Sequence, residues 1–481
     1  MGDADGGTVK AGGVEEEPGR TTESFRDSMT IVTKEGKRSW IYPKQPSGRY
    51  YRWRTILSLF LLAFLFGMPF VRMHDAPLFL FNVLERRFIL FGAVFGPHDF
   101  YLLAIALITA IVFIILFTVV FGRLFCGWVC PQTVFMEMVF RKIDYWVEGD
   151  HRQQRRLHRS PWNSQKLLRK GTKYLIYAVL AFAIGNTLLA WIIGTDHLWT
   201  IVTDPPSRHI GGLTAMLIFS TAFYWIFSWF REQACILVCP YGRLQGVLLD
   251  KNSIVIAYDY RRGEPRGKLR RGADRTKGDC IDCDQCVEVC PTGIDIRNGT
   301  QLECVNCTAC IDACDAVMDK IGKPRGLVRY DSATAIATGV PRLWTPRVIG
   351  YSVVLLLLLT VLTVLLANRS EVDVTVLRTP GMFYQDRPDG RVSNVYDVKV
   401  LNKTFMKVPV TVMLEGMEGQ IEVMGGDLAA EPQGIAESKL LILLQRGQLA
   451  GLSTPLTIGV YADGKKLHTI HTSFLGPGVQ R

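Results

Sequence analysis

Eight of the twelve cysteines stand in two runs whose spacing is typical of iron–sulfur cluster ligands. The first run, from Cys280, is C-x-x-C-x-x-C-x-x-x-C-P, and the second, from Cys304, repeats it without the final proline. In such a pair, three closely spaced thiolates hold one cluster and the fourth binds the other. The spacing therefore predicts two four-iron four-sulfur clusters, with cluster one on Cys280, Cys283, Cys286 and Cys314 and cluster two on Cys304, Cys307, Cys310 and Cys290.

Zinc is the competing interpretation of these runs, because C-x-x-C pairs also suit a tetrahedral zinc ion. Two complete copies of a four-cysteine run, the first followed by Pro291, strongly favour the clusters. Asp315 stands where proline usually follows the fourth cysteine. This departure changes the local turn and charge, but it removes no ligand.

The other four cysteines form two matching pairs that both read C-x-x-x-C-P. The pair Cys126 and Cys130 is followed by the pair Cys235 and Cys239 after 109 residues (235 − 126), which indicates an internal duplication. Residues four apart on a helix share a face, so each pair can present two sulfurs to one ion. Soft thiolates favour Cu(I), zinc or iron–sulfur clusters. We expect the two pairs to face each other and to form one reactive site.

Three interpretations of these four thiols remain open. They can bind one metal ion, they can cycle between dithiol and disulfide, or they can simply pack at helix ends, since free cysteine is often buried. A matched pair of pairs, each followed by proline, favours chemistry over packing. Met136 and Met138 add soft sulfur close to Cys130.

Five apolar stretches are long enough to cross a bilayer, which takes about 20 residues. The predicted spans cover 54–72, 100–122, 174–194, 212–230 and 348–367. Lys and Arg number ten in residues 1–54 and eleven in 123–173, but only three in 73–98 and 195–211 together. Because cytoplasmic loops hold the positive excess, we expect the N-terminus inside the cell and the C-terminus outside.

All twelve cysteines fall on the cytoplasmic side of this topology. Cysteines in a reducing compartment are more often metal ligands or redox groups than disulfides. The net charge of +11 and the basic run at 151–170 raise the question of a nucleic-acid partner. Juxtamembrane basic loops fix topology and contact anionic lipid, so we expect a membrane-lipid partner and no nucleic acid.

The sequence divides into five predicted segments. They are a cytoplasmic tail at 1–53, disordered over 1–30; a four-helix membrane core at 54–245; a cytoplasmic ferredoxin-type domain at 246–346; a fifth transmembrane helix at 347–368; and a periplasmic domain at 369–481. The predicted fold class is a multi-pass α-helical membrane protein of five spans, with an inserted bacterial two-cluster ferredoxin-like domain and a C-terminal all-β immunoglobulin-like sandwich.

Seven alternating runs predict the strands of that sandwich. They are VDVTVLR, NVYDVKVLNK, VPVTVMLEG, QIEVM, SKLLILLQR, LTIGVYA and LHTIHTSF. His468 and His471 lie three apart on the last run and point to opposite faces, so we expect solvent-exposed roles rather than a copper site. No histidine lies in the middle of a span, and the sequence therefore gives no support for a haem held within the bilayer.

The apolar segment FLFNVLERRFILFGAVFGPHDF at 79–100 lies between the first two spans. We expect an interfacial helix there. The alternative is a quinone or flavin pocket in which Glu85, Arg86 and Arg87 supply the polar groups.

The motifs together resemble one family. The stretch PTGIDIRNGTQLECVNCTACIDACDAVMDKIGKPRGLVRY at 291–330, the two cysteine–proline pairs, the five spans and the C-terminal sandwich are similar to FixG/CcoG-type cytochrome c oxidase accessory proteins. The resemblance runs from about residue 38 to near the end of the chain. It implies an inner-membrane iron–sulfur protein of bacteria that acts as a cupric reductase in the assembly of cbb(3)-type oxidases.

The resemblance also implies partners and site residues. It implies that the eight cysteines from Cys280 to Cys314 bind the clusters and that copper contacts Cys126, Cys130, Cys235 and Cys239. The partners that it implies are oxidase assembly factors and copper-transport proteins. Chemistry agrees with this role, because Cu(I) prefers thiolates and a sulfur-lined site favours the reduced ion. The sequence leaves the oligomeric state open, a homo-oligomer included.

Two other functions compete with copper reduction. One is a quinol dehydrogenase-type relay to a periplasmic reductase, because proteins serving nitrate and nitrous oxide reduction resemble this chain in both kinds of motif. The other is a non-enzymatic assembly or sensing factor whose sandwich recruits oxidase subunits. No G-x-G-x-x-G fingerprint marks a dinucleotide fold, so the electron donor is a quinol, a flavodoxin or another reduced carrier.

Overall fold

The computed structural model describes residues 38–73, 76–83, 87–268, 278–425, 428–462 and 464–477. The chain divides into two compact units, one built from 1–64, 110–186 and 211–355 and the other from 65–109, 187–210 and 356–481. The predicted disordered tail at 1–30 lies outside the described residues, as do Glu85 and Arg86.

Within the described residues, five helices are long and apolar enough to cross a membrane. We call them spans one to five, and they cover Arg49–Phe70, Phe100–Phe121, Ser164–Ile193, Ile210–Phe230 and Pro346–Ala367. All five predicted stretches are confirmed as such helices. Span one begins at Arg49, before the predicted start at 54, and span three begins at Ser164, before the predicted start at 174. Both helices continue into polar flanking residues, which hydropathy does not detect.

Short helices follow spans two and four in the first unit. After span two they are Leu124–Trp128, Pro131–Thr133, a π-helix at Val134–Phe140, Arg141–Val147 and His151–Arg159. After span four they are a π-helix at Ala234–Val238 and a helix at Pro240–Leu248. A proline begins the helix after each cysteine pair, since the first helical position needs no N–H group.

The segment between spans one and two, in the second unit, forms strands. They are β1 (Arg72–Met73), β2 (Ala76–Pro77), β3 (Phe79–Asn82), β4 (Arg87–Leu90) and β5 (Ala93–Phe95), with β3, β4 and β5 in one antiparallel sheet. The expected interfacial helix is therefore wrong. Phe91 and Gly92 have φ of 51° and 77°, which is the backbone of a two-residue hairpin turn that matches the strand twist. A helix Thr195–Thr203 lies between spans three and four.

A small α/β region of the first unit carries the cluster cysteines. Its strands β6 (Val255–Tyr258) and β7 (Val328–Asp331) pair antiparallel, with Ile256 opposite Tyr330. Its helices are Tyr260–Gly263, Gln285–Glu288, Ala309–Lys320 and Ala333–Thr338, with a 3₁₀ turn at Ile296–Asn298. Ile256, Ile296, Ile311, Met318 and Leu327 pack into one core with cysteines of both runs. These short elements hold the cysteine loops in place.

The C-terminal residues of the second unit fold as a two-sheet sandwich. Its strands are β8 (Val372–Arg378), β9 (Gln385–Asp386), β10 (Arg391–Asn402), β11 (Val408–Glu415), β12 (Gly419–Met424), β13 (Ala429–Ala430), β14 (Ile435–Gln445), β15 (Ser453–Ala462) and β16 (Lys465–Leu475). One sheet has the order β12-β14-β10-β8, with β9 on β10, and the other has β13-β11-β15-β16. Each of the seven predicted runs is confirmed as a strand.

Alternate residues of these strands fill the sandwich core. Val398 and Val400 of β10, Ile442 of β14 and Ile458 and Val460 of β15 are completely buried. This period-two pattern is what makes the strands visible in the sequence.

Candidate functional site

Each C-x-x-x-C-P motif begins four residues after a residue with a positive φ. Gly122 has φ of 57°, and Arg231, 109 residues later, has φ of 47°. Glycine adopts this conformation freely, whereas an arginine must be held there by its surroundings. Arg231 Nη2 donates to the Asp144 carboxylate and to the Tyr177 hydroxyl, each at 2.8 Å, in a buried cluster. A positive φ at both positions agrees with an internal duplication.

The second cysteine of each pair lies outside a helix. Cys130 and Cys239 have ψ of 124° and 111°, because proline pushes the preceding residue toward an extended conformation. Cys126 and Cys235 lie inside the short helices before them. The paired sulfurs therefore do not share one continuous helix face as we expected. Each pair instead spans the junction between a helix end and a new helix start.

The two pairs converge in the first unit. Cys126 Sγ donates to Gln245 Oε1 at 3.2 Å, and Gln245 belongs to the helix that follows the second motif and is completely buried. Burial, together with the charges of Cys130, Cys126 and Cys239, raises the pKa of Cys235 to about 12. The structure thus brings the four thiols within electrostatic range of one another, and we call them the four-cysteine set, although among the described residues no three thiols are arranged to hold a single ion. Copper binding by this set stays a prediction.

The two cluster loops share an unusual backbone. In the first run Asp282 and Asp284 flank the second cysteine with φ of 54° and 56°, and in the second run Asn306 and Thr308 do so with φ of 54° and 66°. Short polar residues tolerate this left-handed conformation better than most others. Alternation of left- and right-handed residues turns successive backbone N–H groups toward one concave side, which suits an anionic cluster. Both loops are shaped alike for the same kind of ligand.

Cys314 lies with the first run. Burial, together with the charges of Cys280 and Cys283, raises the pKa of Cys314 to about 12. Burial also raises the pKa of Cys286 to about 12, with Cys314 and Cys283 adding to the shift. Asp315, the residue that departs from the usual proline, accepts a hydrogen bond from the Gly326 N–H at 2.9 Å. Cys314 and Asp315 both lie inside the helix Ala309–Lys320, and this bond ties the helix to the loop at Gly326.

Cys290 lies with the second run. Burial raises the pKa of Cys304 to about 12, and the charges of Cys290 and Cys307 contribute to that rise. Burial is the main cause of the raised pKa of Cys310, and the charges of Cys307, Cys304 and Cys290 also raise it. The structure therefore places one cysteine of each run with the other run, as an exchange of fourth ligands requires.

The surroundings of the second set fit an iron–sulfur cluster. A cavity is lined by five of the thiols, by Thr292 and by apolar side chains. The thiols and apolar residues are Cys286, Cys290, Cys304, Cys307, Cys310, Ile256, Pro291, Ile294, Ile296 and Val305. All the soft donors there are sulfur, and the apolar side chains exclude water. Such clusters supply one-electron redox chemistry when bound. Among the described residues, no three Cys, His, Asp or Glu side chains form a single-ion site.

We expect serine at Cys314 and at Cys290 to have crossed effects. Cys314→Ser should remove cluster one although Cys314 belongs to the second run, and Cys290→Ser should remove cluster two. Each variant should lose about half of the bound iron. Iron analysis and the electron paramagnetic resonance (EPR) spectrum of the dithionite-reduced protein measure this. Loss of cluster two in Cys314→Ser would contradict the ligand exchange.

The four-cysteine set packs directly against the second cluster loop. Cys126 lies in one buried apolar cluster with Cys307 and Val305. A side-chain carbon at Gly127 would overlap the Val305 carbonyl and would lie 2.7 Å from the Asn306 carbonyl oxygen. Only glycine permits this approach of two backbones. A cysteine of the four-cysteine set and a cysteine of cluster two therefore share a single dry contact region.

A hydrogen-bond chain supports the same contact. Trp128 Nε1, from inside the first motif, donates to the Tyr330 hydroxyl at 3.1 Å. That hydroxyl donates to the Asn306 carbonyl, between Cys304 and Cys307, at 3.2 Å. Tyr330 belongs to β7, so a strand of the cluster region holds both loops. These bonds fix the separation of the two loops.

Gly127→Ala should loosen this contact. The added methyl group must push the two loops apart, at a cost of about 1–3 kcal/mol in the free energy of unfolding. Gly171→Ala is a matched control, because nothing lies within 4 Å of its side-chain position in span three, and alanine favours the helix by about 0.5–1 kcal/mol. Thermal unfolding compares the two. Equal stability of both variants would contradict the close approach.

Sequence reasoning missed several residues at this junction. Arg123 Nε donates to Gln245 Oε1 at 2.8 Å, and its Nη1 donates to the Leu302 carbonyl just before Cys304. Arg54 Nη1 donates to the Cys307 carbonyl at 3.1 Å. The only sequence signal for either arginine is a charge at the edge of an apolar span. Their targets lie far along the chain, so the pattern does not show them.

The histidines of the sandwich lie elsewhere. His468 Nε2 contacts the Val372 carbonyl oxygen at 3.1 Å, and the exposed His471 contacts Thr457 Oγ1 at 3.4 Å. Their partners differ, in keeping with opposite faces of β16.

Three family models match the chain. One described as a 4Fe-4S dicluster domain matches residues 230–333, one described as a 4Fe-4S binding domain matches 103–149, and one described as an IG-like fold at the C-terminal of FixG matches 362–477. The first two matches include both C-x-x-x-C-P motifs as well as the two ferredoxin-type runs.

Curated relatives cover most of the chain. Protein RdxB of Cereibacter sphaeroides is 37% identical over 387 residues, which is 76% of this chain and 80% of RdxB. The nitrogen fixation protein FixG of Rhizobium meliloti is 31% identical over 465 residues, which is 86% of this chain and 88% of that protein. The chain belongs to the FixG family.

A solved structure is also similar in part. The FixG-related protein from Vibrio parahaemolyticus is 17% identical, covers 22% of this chain and 97% of its own length, and has a TM-score of 0.20. As a FixG-family member with 4Fe-4S domains and five apolar helices, the chain is a membrane iron–sulfur protein with electron-transfer chemistry.

Proposed function

We propose that this FixG-family chain reduces Cu(II) to Cu(I) at the four-cysteine set and supplies Cu(I) for a cbb(3)-type cytochrome c oxidase. One observation carries the proposal: Cys126 and Cys307 share a buried contact region, and Gly127 lets the two loops touch. The four-cysteine set therefore lies beside the second cluster loop. An electron can pass from that cluster to the set without crossing water.

The chemistry of the four thiols supports copper as the acceptor. Cu(II) takes up one electron to become Cu(I), and the ferredoxin-type site gives up that electron. Thiolates bind Cu(I) more strongly than they bind Cu(II), so a sulfur-lined site makes this electron transfer more favourable. The buried Arg123 guanidinium, near Cys126 and Cys235, offsets part of the negative charge that four thiolates would gather.

The proposal includes a topology and partners. The N-terminus, the clusters and the four-cysteine set lie on the cytoplasmic side of a bacterial inner membrane, because the Lys and Arg excess marks that side. The C-terminal sandwich lies in the periplasm. Partners are oxidase assembly factors and copper-transport proteins, and membrane lipid contacts the basic loop at 151–170. The five predicted segments of the chain belong to this proposal.

A second candidate is the quinol-linked relay. An apolar groove of about 280 Å³ in the first unit is lined by Phe113, Phe117 and Phe121 of span two and by Trp344 and Val348 near the start of span five. Aromatic side chains of this kind suit a quinone ring. In this function electrons would pass between a membrane quinol and the clusters, and copper would have no part.

A comparison of electron acceptors separates these functions. The purified protein is reduced with dithionite without oxygen, freed of excess reductant, and mixed with Cu(II) or with a soluble quinone. Copper reduction predicts fast reoxidation of the clusters by Cu(II), with Cu(I) trapped by a specific chelator. Reoxidation by the quinone alone would favour the relay. If neither Cu(II) nor the quinone reoxidises the reduced clusters, the result would favour a non-enzymatic assembly factor.

A further inference from the structure

The charge around the first cluster loop is dominated by carboxylates. Arg297 is the cation that contacts most of these carboxylates. Its side chain binds Asp282 at 2.7 Å, Asp284 at 2.6 Å and Asp295 at 2.7 Å. Arg262 and Lys323 both bind Asp279, just before Cys280, at 2.6 Å. These four carboxylates and three cations together carry a net charge of −1 (3 − 4).

The second cluster loop has the opposite arrangement. Arg54 and Arg123 contact it through the carbonyls of Cys307 and Leu302, and they are only 4% and 5% exposed. Among the residues that the structure describes, no carboxylate lies within ion-pair distance of either guanidinium. Arg54 Nε has no hydrogen-bond partner there either. Two buried positive charges thus stand beside this loop without compensation.

The acids near this loop have partners of their own. Glu137 interacts with Cys307 and opposes the effect of Arg54 on that thiol. However, Glu137 is committed to Arg141, whose Nε lies 2.9 Å from its carboxylate. The ion pair is neutral as a unit. Asp312, a buried carboxylate of the second run, accepts hydrogen bonds from the Tyr50 and Tyr51 N–H groups at 3.1 and 2.8 Å. Among the described residues neither acid forms an ion pair with Arg54 or Arg123, so both guanidiniums can act on the loop that they contact.

Solvent exposure acts in the other direction. Reduction adds one negative charge to a cluster, and a buried site disfavours added charge. Cys283 of the first run is exposed, alone among the twelve cysteines, so water helps to stabilise reduction of cluster one. Without Arg54 and Arg123, cluster one would be the easier of the two to reduce. Nearby buried cations reverse such an order because their attraction is strong at low dielectric.

We propose that Arg54 and Arg123 raise the reduction potential of cluster two above that of cluster one, so that electrons enter at the exposed Cys283 edge and collect beside the four-cysteine set. Electron entry at Cys283 requires a water-soluble donor, namely a small one-electron carrier protein. The last step, delivery to copper, rests on the proposed function. The order of the two potentials does not.

A redox titration followed by EPR tests the order in the purified full-length protein with both clusters bound. Cys314→Ser and Cys290→Ser assign the two signals. In the unsubstituted protein cluster two should be reduced first. Arg54→Gln and Arg123→Gln should each shift the electron distribution toward cluster one by about tenfold, equal to 59 mV for a one-electron couple. Arg297→Gln should lower the potential of cluster one alone.

Lysine variants provide a second test if a glutamine variant does not fold. Arg54→Lys and Arg123→Lys retain the charge and should retain cluster two as the first cluster reduced. Reduction of cluster one first in the unsubstituted protein would overturn the proposal, as would equal shifts of both clusters in Arg123→Gln. No copper is present in the titration, so failure of the copper function leaves this result unaffected, and failure here leaves copper reduction standing.

Discussion

Serine at Cys126, Cys130, Cys235 and Cys239 together should weaken Cu(I) binding by at least about 100-fold while both clusters stay in place. Serine keeps the size of cysteine but removes the soft sulfur that Cu(I) prefers. The cluster cysteines belong to other loops and keep their ligands, so the cluster spectrum should not change. Competition with a Cu(I)-specific chelator measures the affinity, and iron analysis on the same sample provides the control.

Single serine variants sharpen this expectation. Groups that share one site act as a unit, so each single change should lose most of the affinity and a second change should add little. Burial raises the pKa of Cys235 to about 12, and copper must displace that proton, so the affinity should also rise with pH. Independent, additive losses from the two motifs would contradict a single site.

Asp144→Ala should destabilise the first unit by about 3–5 kcal/mol, the usual cost of leaving one partner of a buried ion pair alone. The lost carboxylate holds Arg231, at 2.8 Å, and Lys173, at 3.2 Å. Without it, the Arg231 guanidinium is buried next to the second cysteine motif with no carboxylate to oppose its charge at that distance. Thermal unfolding in detergent measures the loss.

An exposed ion pair of the same unit provides the control. Asp319 and Arg325 also lie 2.8 Å apart, but 46% and 64% of their side chains are exposed. Exposed pairs contribute little to stability, so Asp319→Ala should leave the unfolding temperature unchanged. A loss as large as that of Asp144→Ala would show that the measurement does not report on buried ion pairs.

The same carboxylate should make stability depend on pH. Burial alone would raise the pKa of Asp144, but the charges of Arg231 and Lys173 and the Tyr177 hydrogen bond lower it to about 2. A carboxyl whose pKa is lower in the folded state stabilises the fold above the unfolded value of about 3.9, and this contribution is lost as the pH falls toward 2. Asp144→Asn should remove that part of the acid sensitivity. An unchanged acid profile in Asp144→Asn would show that other carboxyls account for it.

Repeating patterns made much of the molecule predictable. The five spans follow from apolar length, and seven of the nine sandwich strands follow from alternation. Ferredoxin spacing predicts that Cys290 lies near the second run and Cys314 near the first. Each of these signals is local, or is a repeat of a local signal. The pairing of the two C-x-x-x-C-P motifs could also be expected, because the duplication is visible as a fixed offset.

The features that the sequence did not reveal depend on contacts between distant segments. Arg54 reaches Cys307 and Arg123 reaches Gln245 only after the chain has folded. In the sequence, nothing distinguishes Gly127 from the other variable positions of the motif. Its need for glycine comes from the Val305 backbone that packs against it. The segment at 79–95 misled the prediction for a different reason. Its apolar content fits helix and strand alike, and the Phe91–Gly92 turn decides between them.

The most direct measurement is the electron balance of one turnover. Protein with both clusters reduced is mixed without oxygen with excess Cu(II) and a Cu(I)-specific chelator, while cluster absorbance and chelated Cu(I) are recorded together. Electron transfer from the clusters to copper predicts recovery of cluster absorbance in step with about two Cu(I) per chain, one for each cluster. The four-serine variant should show neither change. Cluster recovery without Cu(I), or equal Cu(I) yield in the four-serine variant, would contradict copper reduction at the four-cysteine set.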